Sequence, residues 1–346
     1  MKNNRIIYFD LLNIMAIIAV IAMHCNGIVH LNPMIRAWNT SLIVDCIFYW
    51  AVPVFLMLSG ATLMNYRTKY DTKTFFKKRL LKVLIPFLFW AIVMFIWKIS
   101  IGSIKIEEIN SVSKLLNAFL ANREEGIYYF MFDILGIYLT MPLLSLLAKE
   151  EYRKTLWYAV LIFFIFNAFL PNILGLFDIN YNYSLTMQIG GYVVYVFLGY
   201  LLSTQDLSKK QRILVYIFAI IGLIYRYAST FILSKSAGEV IRITWGYTSW
   251  HCILLACAVF LFVKNNKINN KISENQKMTK IISNIAGCSF GIYLIHIVVK
   301  YYQVQLFNIN EYSWQFRTFG ILSTYLIALI IVYILKRIPL VKHIVP

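Results

Sequence analysis

Ten apolar segments, each close to the length of a membrane-spanning helix, follow one another through the chain. They cover residues 8–29, 42–64, 80–101, 127–148, 155–171, 188–203, 213–233, 247–263, 282–301 and 317–335. A helix needs about 20 mostly apolar residues to cross the hydrocarbon core of a bilayer. Lipid offers no hydrogen bonds to the backbone, so such segments must satisfy their own backbone groups, as helices do. We therefore predict an all-α, polytopic membrane bundle of about ten transmembrane helices.

Residues 1–346 are predicted to form one integral-membrane domain, with no appended soluble domain. The segments 155–171 and 188–203 are shorter than the others. If either of them is re-entrant, the number of crossings changes.

Composition supports a membrane protein. Hydrophobic residues make up 60% of the chain and charged residues 14%, whereas a soluble domain has about 25% charged residues. The net charge of +18 could indicate nucleic-acid binding, but most lysines and arginines lie in alternate loops. These are the N-terminus, 65–82, 149–154, 204–212, 264–280 and 336–346. By the positive-inside rule we predict cytoplasmic termini, with membrane lipids and no nucleic acid as partners.

The first apolar segment carries three polar residues on one side of its helix: Asp10, Asn13 and His24. At about 100° per residue, the step from Asn13 to His24 returns to nearly the same face, and Asp10 lies roughly 40° away. Asp10 and His24 would stand roughly 21 Å apart along the axis. Ionisable side chains are costly inside a membrane and usually mark functional sites. The alternative is an interhelical hydrogen-bonded pair that only fixes packing.

A basic triplet, Lys77, Lys78 and Arg79, lies at the start of the third apolar segment. Positive charge here is what the positive-inside rule requires of a cytoplasmic loop. Lysine and arginine are also natural partners of phosphate groups, so the triplet can equally hold an anionic cytosolic donor. Its position alone does not decide between these interpretations.

A second polar stripe occurs in the ninth segment, where Ser289, Tyr293 and His296 share one helix face. Other segments also contain ionisable residues, and we expect each of them to pair inside the bundle. They are Asp133, Arg226 and His251.

The five cysteines lack the spacing of metal ligands, and no metal site or disulfide framework is predicted. They are Cys25, Cys46, Cys252, Cys257 and Cys288.

Six stretches occur in this order along the chain: YFDLLNIMAIIAVIAMHCNG, VPVFLMLSG, FFKKRLLKVLIPFLFW, FDILGIYLTMPLL, GGYVVYVFLGYLLS and SFGIYLIH. Together they resemble the integral-membrane acyltransferase 3 family over nearly the whole chain. The resemblance implies transfer of an acyl group, usually acetyl from cytosolic acetyl-coenzyme A, to a glycan or another acceptor at or outside the membrane. It also implies that His24 is the family's essential histidine and that Lys78 and Arg79 are its basic pair.

The chain departs from the family pattern at residue 13. Arginine is common there, eleven positions before the histidine, whereas this chain has Asn13. An amide can hydrogen-bond an acyl carbonyl or orient an imidazole, but it cannot give a full positive charge to an oxyanion. Either another residue, such as Arg79 or Arg226, supplies the cation, or the chain has lost catalysis and kept binding.

With this resemblance, we predict that His24 is the general base, because imidazole takes up protons near neutral pH. A covalent acyl-His24 relay is an open variant. Asp10 is predicted to orient the site from the cytoplasmic side or to be a partner in its hydrogen-bond network. Lys77, Lys78 and Arg79 are predicted to contact the coenzyme A phosphates. The predicted acceptor is the hydroxyl of a glycan or a lipid-linked sugar.

Two other functions remain possible on sequence grounds. A small-molecule transporter or flippase would also have about ten spans with polar stripes, although no internal repeat is evident. A non-catalytic membrane sensor is suggested by Asn13 alone. The richness in Ile, Lys and Asn indicates a bacterial coding sequence, and hence a bacterial cell membrane. The sequence does not indicate an oligomeric state.

The predicted orientation can be tested by cysteine labelling. A cysteine at Lys69 should react with a membrane-impermeant thiol reagent only after the cells are opened, and one at Asn180 should react in intact cells. Labelling of position 69 from outside intact cells would overturn the orientation.

Overall fold

The computed structural model describes residues 5–120, 125–177, 179, 182, 186–188, 190–339 and 341–345, and the labelling position Asn180 lies outside them. Within these residues the chain forms sixteen α-helices and no β-strand. The helices are α1 (Ile7–Cys25), α2 (Arg36–Phe48), α3 (Ala51–Leu63), α4 (Thr72–Arg79), α5 (Ile85–Ser100), α6 (Val112–Leu120), α7 (Tyr129–Leu144), α8 (Arg153–Phe163), α9 (Leu170–Leu176), α10 (Val193–Thr204), α11 (Lys209–Ala237), α12 (Trp250–Lys264), α13 (Ile268–Glu274), α14 (Gln276–Ala286), α15 (Ser289–Leu306) and α16 (Trp314–Leu335).

The described helices confirm the all-α, polytopic architecture. Seven segments have the length and hydropathy of a membrane crossing: Ile7–Cys25, Arg36–Thr68, Thr72–Ser100, Gly126–Leu147, Glu150–Leu176, Lys209–Ala237 and Trp314–Leu335. The helix pair α12–α13 bends by 45° at its junction, and the pair α14–α15 bends by 52°. If each pair counts as one span, the described residues contain nine spans. A tenth is reached only with α10, whose 12 residues occupy the short predicted segment 188–203.

Helix α1 lies at the centre of the bundle. It contacts α2, α3, α12, α13, α14, α15 and α16. Its buried side chains include Leu12, Ile17 and Ile21, which point in different directions around the helix. A helix surrounded in this way can carry polar side chains across the hydrocarbon layer, because they meet protein groups instead of lipid.

Two helical segments adopt π-helical geometry just before a proline. Leu80–Leu84 precedes Pro86 at the start of α5, and Phe164–Phe169 precedes Pro171 at the start of α9. A proline inside a helix has no N–H to donate, and its ring clashes with the carbonyl four residues earlier. A π-helical turn accommodates both effects. Helix α4, which ends in the basic triplet, therefore continues into the membrane-spanning α5 without a loop.

Helices α3 and α10 approach each other backbone to backbone. A Cβ atom at Gly60 would overlap the backbone carbonyl of Val196, and a Cβ atom at Gly199 would overlap that of Met57. Small residues at such crossings let transmembrane helices pack closely, which is the main attraction available to them in lipid. This contact holds the short α10 in the bundle.

Replacement of Gly199 by alanine should destabilise the protein, because the added methyl group has to push α10 away from α3. Overpacking of this kind costs about 1–3 kcal/mol and should lower the Tm of the detergent-solubilised protein. Gly136→Ala is the matched control, since a Cβ atom at that helical position meets nothing within 4 Å. It should leave the Tm unchanged or slightly higher. Equal Tm values for the two variants would contradict the close packing.

Candidate functional site

Helix α1 borders two cavities that lie at different depths of the bundle. Asn13 lines the first, of about 270 Å³, which we name the Arg79 cavity after its basic residue. His24 lines the second, of about 320 Å³, which we name the His24 cavity. Along α1, Asn13 and His24 are about 16 Å apart. The Arg79 cavity has as polar residues Asn13, Ser59, Thr62, Arg79, Tyr138, Ser289 and Tyr293. The His24 cavity has His24, His30, Asp45, Tyr49, Tyr129, Trp245, Tyr247 and Tyr293.

Three aromatic side chains, Phe55, Phe130 and Tyr293, line both cavities and separate them. The ring centroids of Phe55 and Phe130 are 5.9 Å apart, as are those of Phe130 and Tyr293. The hydroxyl of Tyr293 donates a hydrogen bond to the backbone carbonyl of Ile127 at 2.6 Å, which fixes this ring. We name these three residues the aromatic partition. They place the two cavities in series.

Of the three basic-triplet residues, Arg79 is the one that lines the Arg79 cavity. Its guanidinium lies 5.7 Å from the ring centroid of Phe75 and 5.4 Å from that of Tyr138. These aromatic faces favour a cation. Its Nε atom is buried and has no hydrogen-bond partner among the described residues. Arg79 therefore presents unused donor capacity beside an internal cavity.

The other two triplet residues lie at the surface of α4. Lys78 places its ammonium 3.8 Å from the ring centroid of Tyr70, and Lys77 is exposed. Asp71 caps the N-terminus of α4 by accepting a hydrogen bond from the backbone N–H of Thr74 at 3.0 Å. Hydrogen bonding from Thr74 lowers the pKa of the Asp71 carboxyl. The cap thus fixes the helix on which the triplet is carried.

The structure shows which arginine lies near Asn13, the residue that stands where the family commonly has arginine. Asn13 lines the same cavity as Arg79. Arg226, the other cation considered from sequence, instead forms an ion pair with Asp45 between α11 and α2. Of these two arginines, Arg79 is therefore the one placed to act together with Asn13.

Asp10 is engaged at the N-terminal end of α1. Its carboxylate accepts hydrogen bonds from Arg5 Nε and a second guanidinium nitrogen of Arg5, at 2.7 and 3.0 Å. It also accepts one from the hydroxyl of Ser283 at 2.9 Å. These contacts tie the start of the chain to α14. Asp10 is not among the residues that line either cavity, and its orienting role stays a prediction.

His24 lies beside His296 of the second polar stripe, with ring centroids 5.3 Å apart. The Nδ1 atom of His296 is 2.7 Å from the backbone carbonyl of Tyr293. Because a carbonyl can only accept, this nitrogen carries the proton. The Nε2 atom of His296 is then a proton acceptor, and it is buried without a partner among the described residues. The structure thus brings a second imidazole, whose role the sequence left open, into contact with His24.

An ion pair that the sequence analysis missed adjoins the His24 cavity. Asp45 and Arg226 are both almost fully buried, and an oxygen of the carboxylate is 2.5 Å from a guanidinium nitrogen. The guanidinium also lies 3.4 Å from the ring centroid of Tyr49. Asp45 falls inside the apolar segment 42–64, so the rule that singled out Asp133 and His24 would have found it. Asp133, for which pairing was expected, has no ion-pair partner among the described residues.

The loop that connects α11 to α12 covers one side of the His24 cavity. The hydroxyl of Tyr49 donates a hydrogen bond to the backbone carbonyl of Trp245, and that of Tyr195 donates to the carbonyl of Tyr247. These contacts fix the loop backbone at Trp245 and Tyr247, whose side chains line the cavity.

A family model described as an acyltransferase domain matches residues 6–335. The chain belongs to the acyltransferase 3 family. This confirms the resemblance inferred from the six sequence stretches, and it makes the protein a membrane acyltransferase. No curated protein and no solved structure matches the chain. Within the described part of this acyltransferase, no group of three or more His, Cys, Asp or Glu side chains is placed to hold a metal ion.

Proposed function

We propose that this acyltransferase moves an acetyl group from cytosolic acetyl-coenzyme A to a hydroxyl group of a cell-envelope or exported glycan. The observation that carries the proposal is the pair of cavities in series, one with Arg79 and the other with His24. A cationic cavity suits a donor that carries phosphate groups. A cavity with an imidazole suits an alcohol, which must lose a proton to become a good nucleophile.

The residues of the Arg79 cavity fit the donor. The buried, unpartnered Nε of Arg79 is a donor group that a phosphate oxygen would satisfy. Lys78 adds positive charge at the adjacent surface of α4. The side-chain amide of Asn13 can donate a hydrogen bond to a carbonyl oxygen in the same cavity. Asn13 would then orient the donor, while the positive charge comes from Arg79.

His24 supplies the chemistry at the other end. As general base, it takes the proton of the acceptor hydroxyl while the oxygen attacks the thioester carbonyl carbon. The new C–O bond forms, the C–S bond breaks, and His24 returns the proton to the departing sulfur. For this step the thioester has to pass the aromatic partition, because His24 lies on its far side from Arg79. The neighbouring His296 limits the space in which the His24 ring can turn.

The donor end is tested by Arg79→Gln, with coenzyme A binding to the detergent-solubilised protein as the measurement. Loss of one charge-assisted contact costs about 1.5–3 kcal/mol, so the Kd should rise roughly tenfold or more. Lys73→Gln removes an exposed charge from the first turn of the same helix and should have a much smaller effect. Equal Kd values for the two variants would mean that Arg79 does not bind the donor and serves only to orient the chain in the membrane. No binding of coenzyme A to the unaltered protein would favour the transporter alternative.

The acceptor end is tested by His24→Gln, which keeps hydrogen bonding but cannot take up a proton at neutral pH. The rate of acyl transfer from labelled acetyl-coenzyme A should fall about 10²–10⁴-fold, whereas coenzyme A binding should survive. His343→Gln replaces an exposed histidine near the C-terminus; it is the matched control and should keep its activity. A normal transfer rate in His24→Gln would end this mechanism.

A further inference from the structure

The carboxylate of Asp45 lies at the wall of the His24 cavity, and its counterion, Arg226, lies behind that wall. Asp45 lines the cavity, whereas Arg226 is not among its lining residues. The ring of Tyr49, which does line the cavity, lies 3.4 Å from the Arg226 guanidinium carbon. Arg226 thus holds the Asp45 carboxylate in place, while the ring of Tyr49 covers one face of the Arg226 guanidinium. A ligand in the cavity meets the carboxylate of this pair.

No Lys or Arg side chain is among the described residues that line the His24 cavity. Its two histidines, His24 and His30, are of a residue type that is mostly uncharged at neutral pH. An anionic ligand would therefore approach the carboxylate more closely than it approaches the counterion Arg226, which is not among the lining residues, and this is unfavourable. A neutral ligand with hydroxyl groups can donate charge-assisted hydrogen bonds to Asp45.

Aromatic rings complete the wall beside Asp45. The rings of Tyr49 and Tyr247 stack with centroids 4.4 Å apart and an angle of 13° between their planes. The imidazole of His30 packs against the ring of Trp245, with centroids 5.2 Å apart. Apolar aromatic surface suits the C–H groups of a saturated ring, while a few placed polar groups bind its hydroxyls. The cavity combines both kinds of contact.

We propose that the His24 cavity binds an uncharged, hydroxyl-bearing saturated ring, such as a neutral pyranose, and that Asp45 discriminates against anionic sugars. This inference rests on the proposed function, because it takes the His24 cavity as the acceptor side of the acyltransferase. It adds the charge class of the acceptor and the residue that selects it.

The direct test compares the binding of neutral and anionic pyranosides to the purified protein in the absence of coenzyme A. The probes are methyl glucoside and methyl galactoside against the corresponding uronosides, followed by saturation-transfer NMR. We expect at least one neutral pyranoside to bind, and its uronoside to bind at least tenfold more weakly. Equal or tighter binding of the uronosides, or no binding of either neutral sugar, would overturn the proposal. Because no donor is present, failure of acetyl transfer would appear in a separate experiment.

Substitutions at the ion pair test whether Asp45 is the selecting group. Asp45→Asn keeps the shape of the side chain but leaves the positive charge of Arg226 unbalanced. The preference should then move toward the uronosides by at least tenfold. If this variant does not fold, the double variant Asp45→Asn with Arg226→Gln restores neutrality, and its discrimination between the two sugar classes should disappear.

A matched control comes from Asp133, a carboxylate in another span that is not among the residues lining either cavity. Asp133→Asn should keep the selectivity of the unaltered protein. If Asp133→Asn changed the preference as much as Asp45→Asn, or if the double variant still rejected uronosides, the assignment to Asp45 would be wrong.

Discussion

A polar side chain inside a hydrocarbon layer needs protein around it, and this requirement organises the bundle around α1. The helix carries Asp10, Asn13 and His24, and seven other helices surround it. Each polar group meets a different environment: an ion pair and a hydroxyl at Asp10, and a cavity wall at Asn13 and at His24. The close contact of α3 with α10 through Gly60 and Gly199 belongs to the same arrangement, since α3 itself packs on α1. The site is thus a consequence of how the first helix is enclosed.

The two cavities differ in charge, and the proposed roles of donor side and acceptor side rest on this difference. Arg79 makes the first cavity positive, and its aromatic neighbours leave one of its nitrogens unpartnered. Asp45 places a carboxylate at the second, while Arg226 balances that charge from behind. A buried ion pair adds little net stability, because desolvation of both groups offsets their attraction. Its contribution here is to hold a carboxylate at a defined position on a cavity wall.

Much of the architecture could be predicted from sequence, because lipid makes segment length and hydropathy decisive. The helical segment Glu150–Leu176 shows this, since it contains the short predicted stretch 155–171 within a full-length span. The bend of 52° between α14 and α15 was not predicted, because α14 begins inside the basic loop 264–280 and runs into the apolar segment 282–301. In the site, the polar residues of α1 were visible because they stand out against an apolar background. Asp45 stood out equally and was overlooked.

Phe55 and Phe130 could not be recognised from sequence. They are apolar residues in apolar segments, and nothing in their local pattern separates them from the core. Their position between the cavities depends on the packing of α3 against α7, which brings residues far apart in the chain together. The contact of His24 with His296 is likewise a product of tertiary packing between α1 and α15.

The aromatic partition also bears on the electrical insulation of the membrane. Moving one elementary charge across a potential of 100 mV changes its free energy by about 2.3 kcal/mol, so an aqueous path through the bundle would dissipate the ion gradients of the cell. Phe55, Phe130 and Tyr293 interrupt such a path with hydrocarbon rings. A thin, uncharged chain can part these rings at far lower cost than a hydrated ion can. Under the proposed function, the same three side chains admit the acyl donor from one side and keep the membrane sealed against protons and salt.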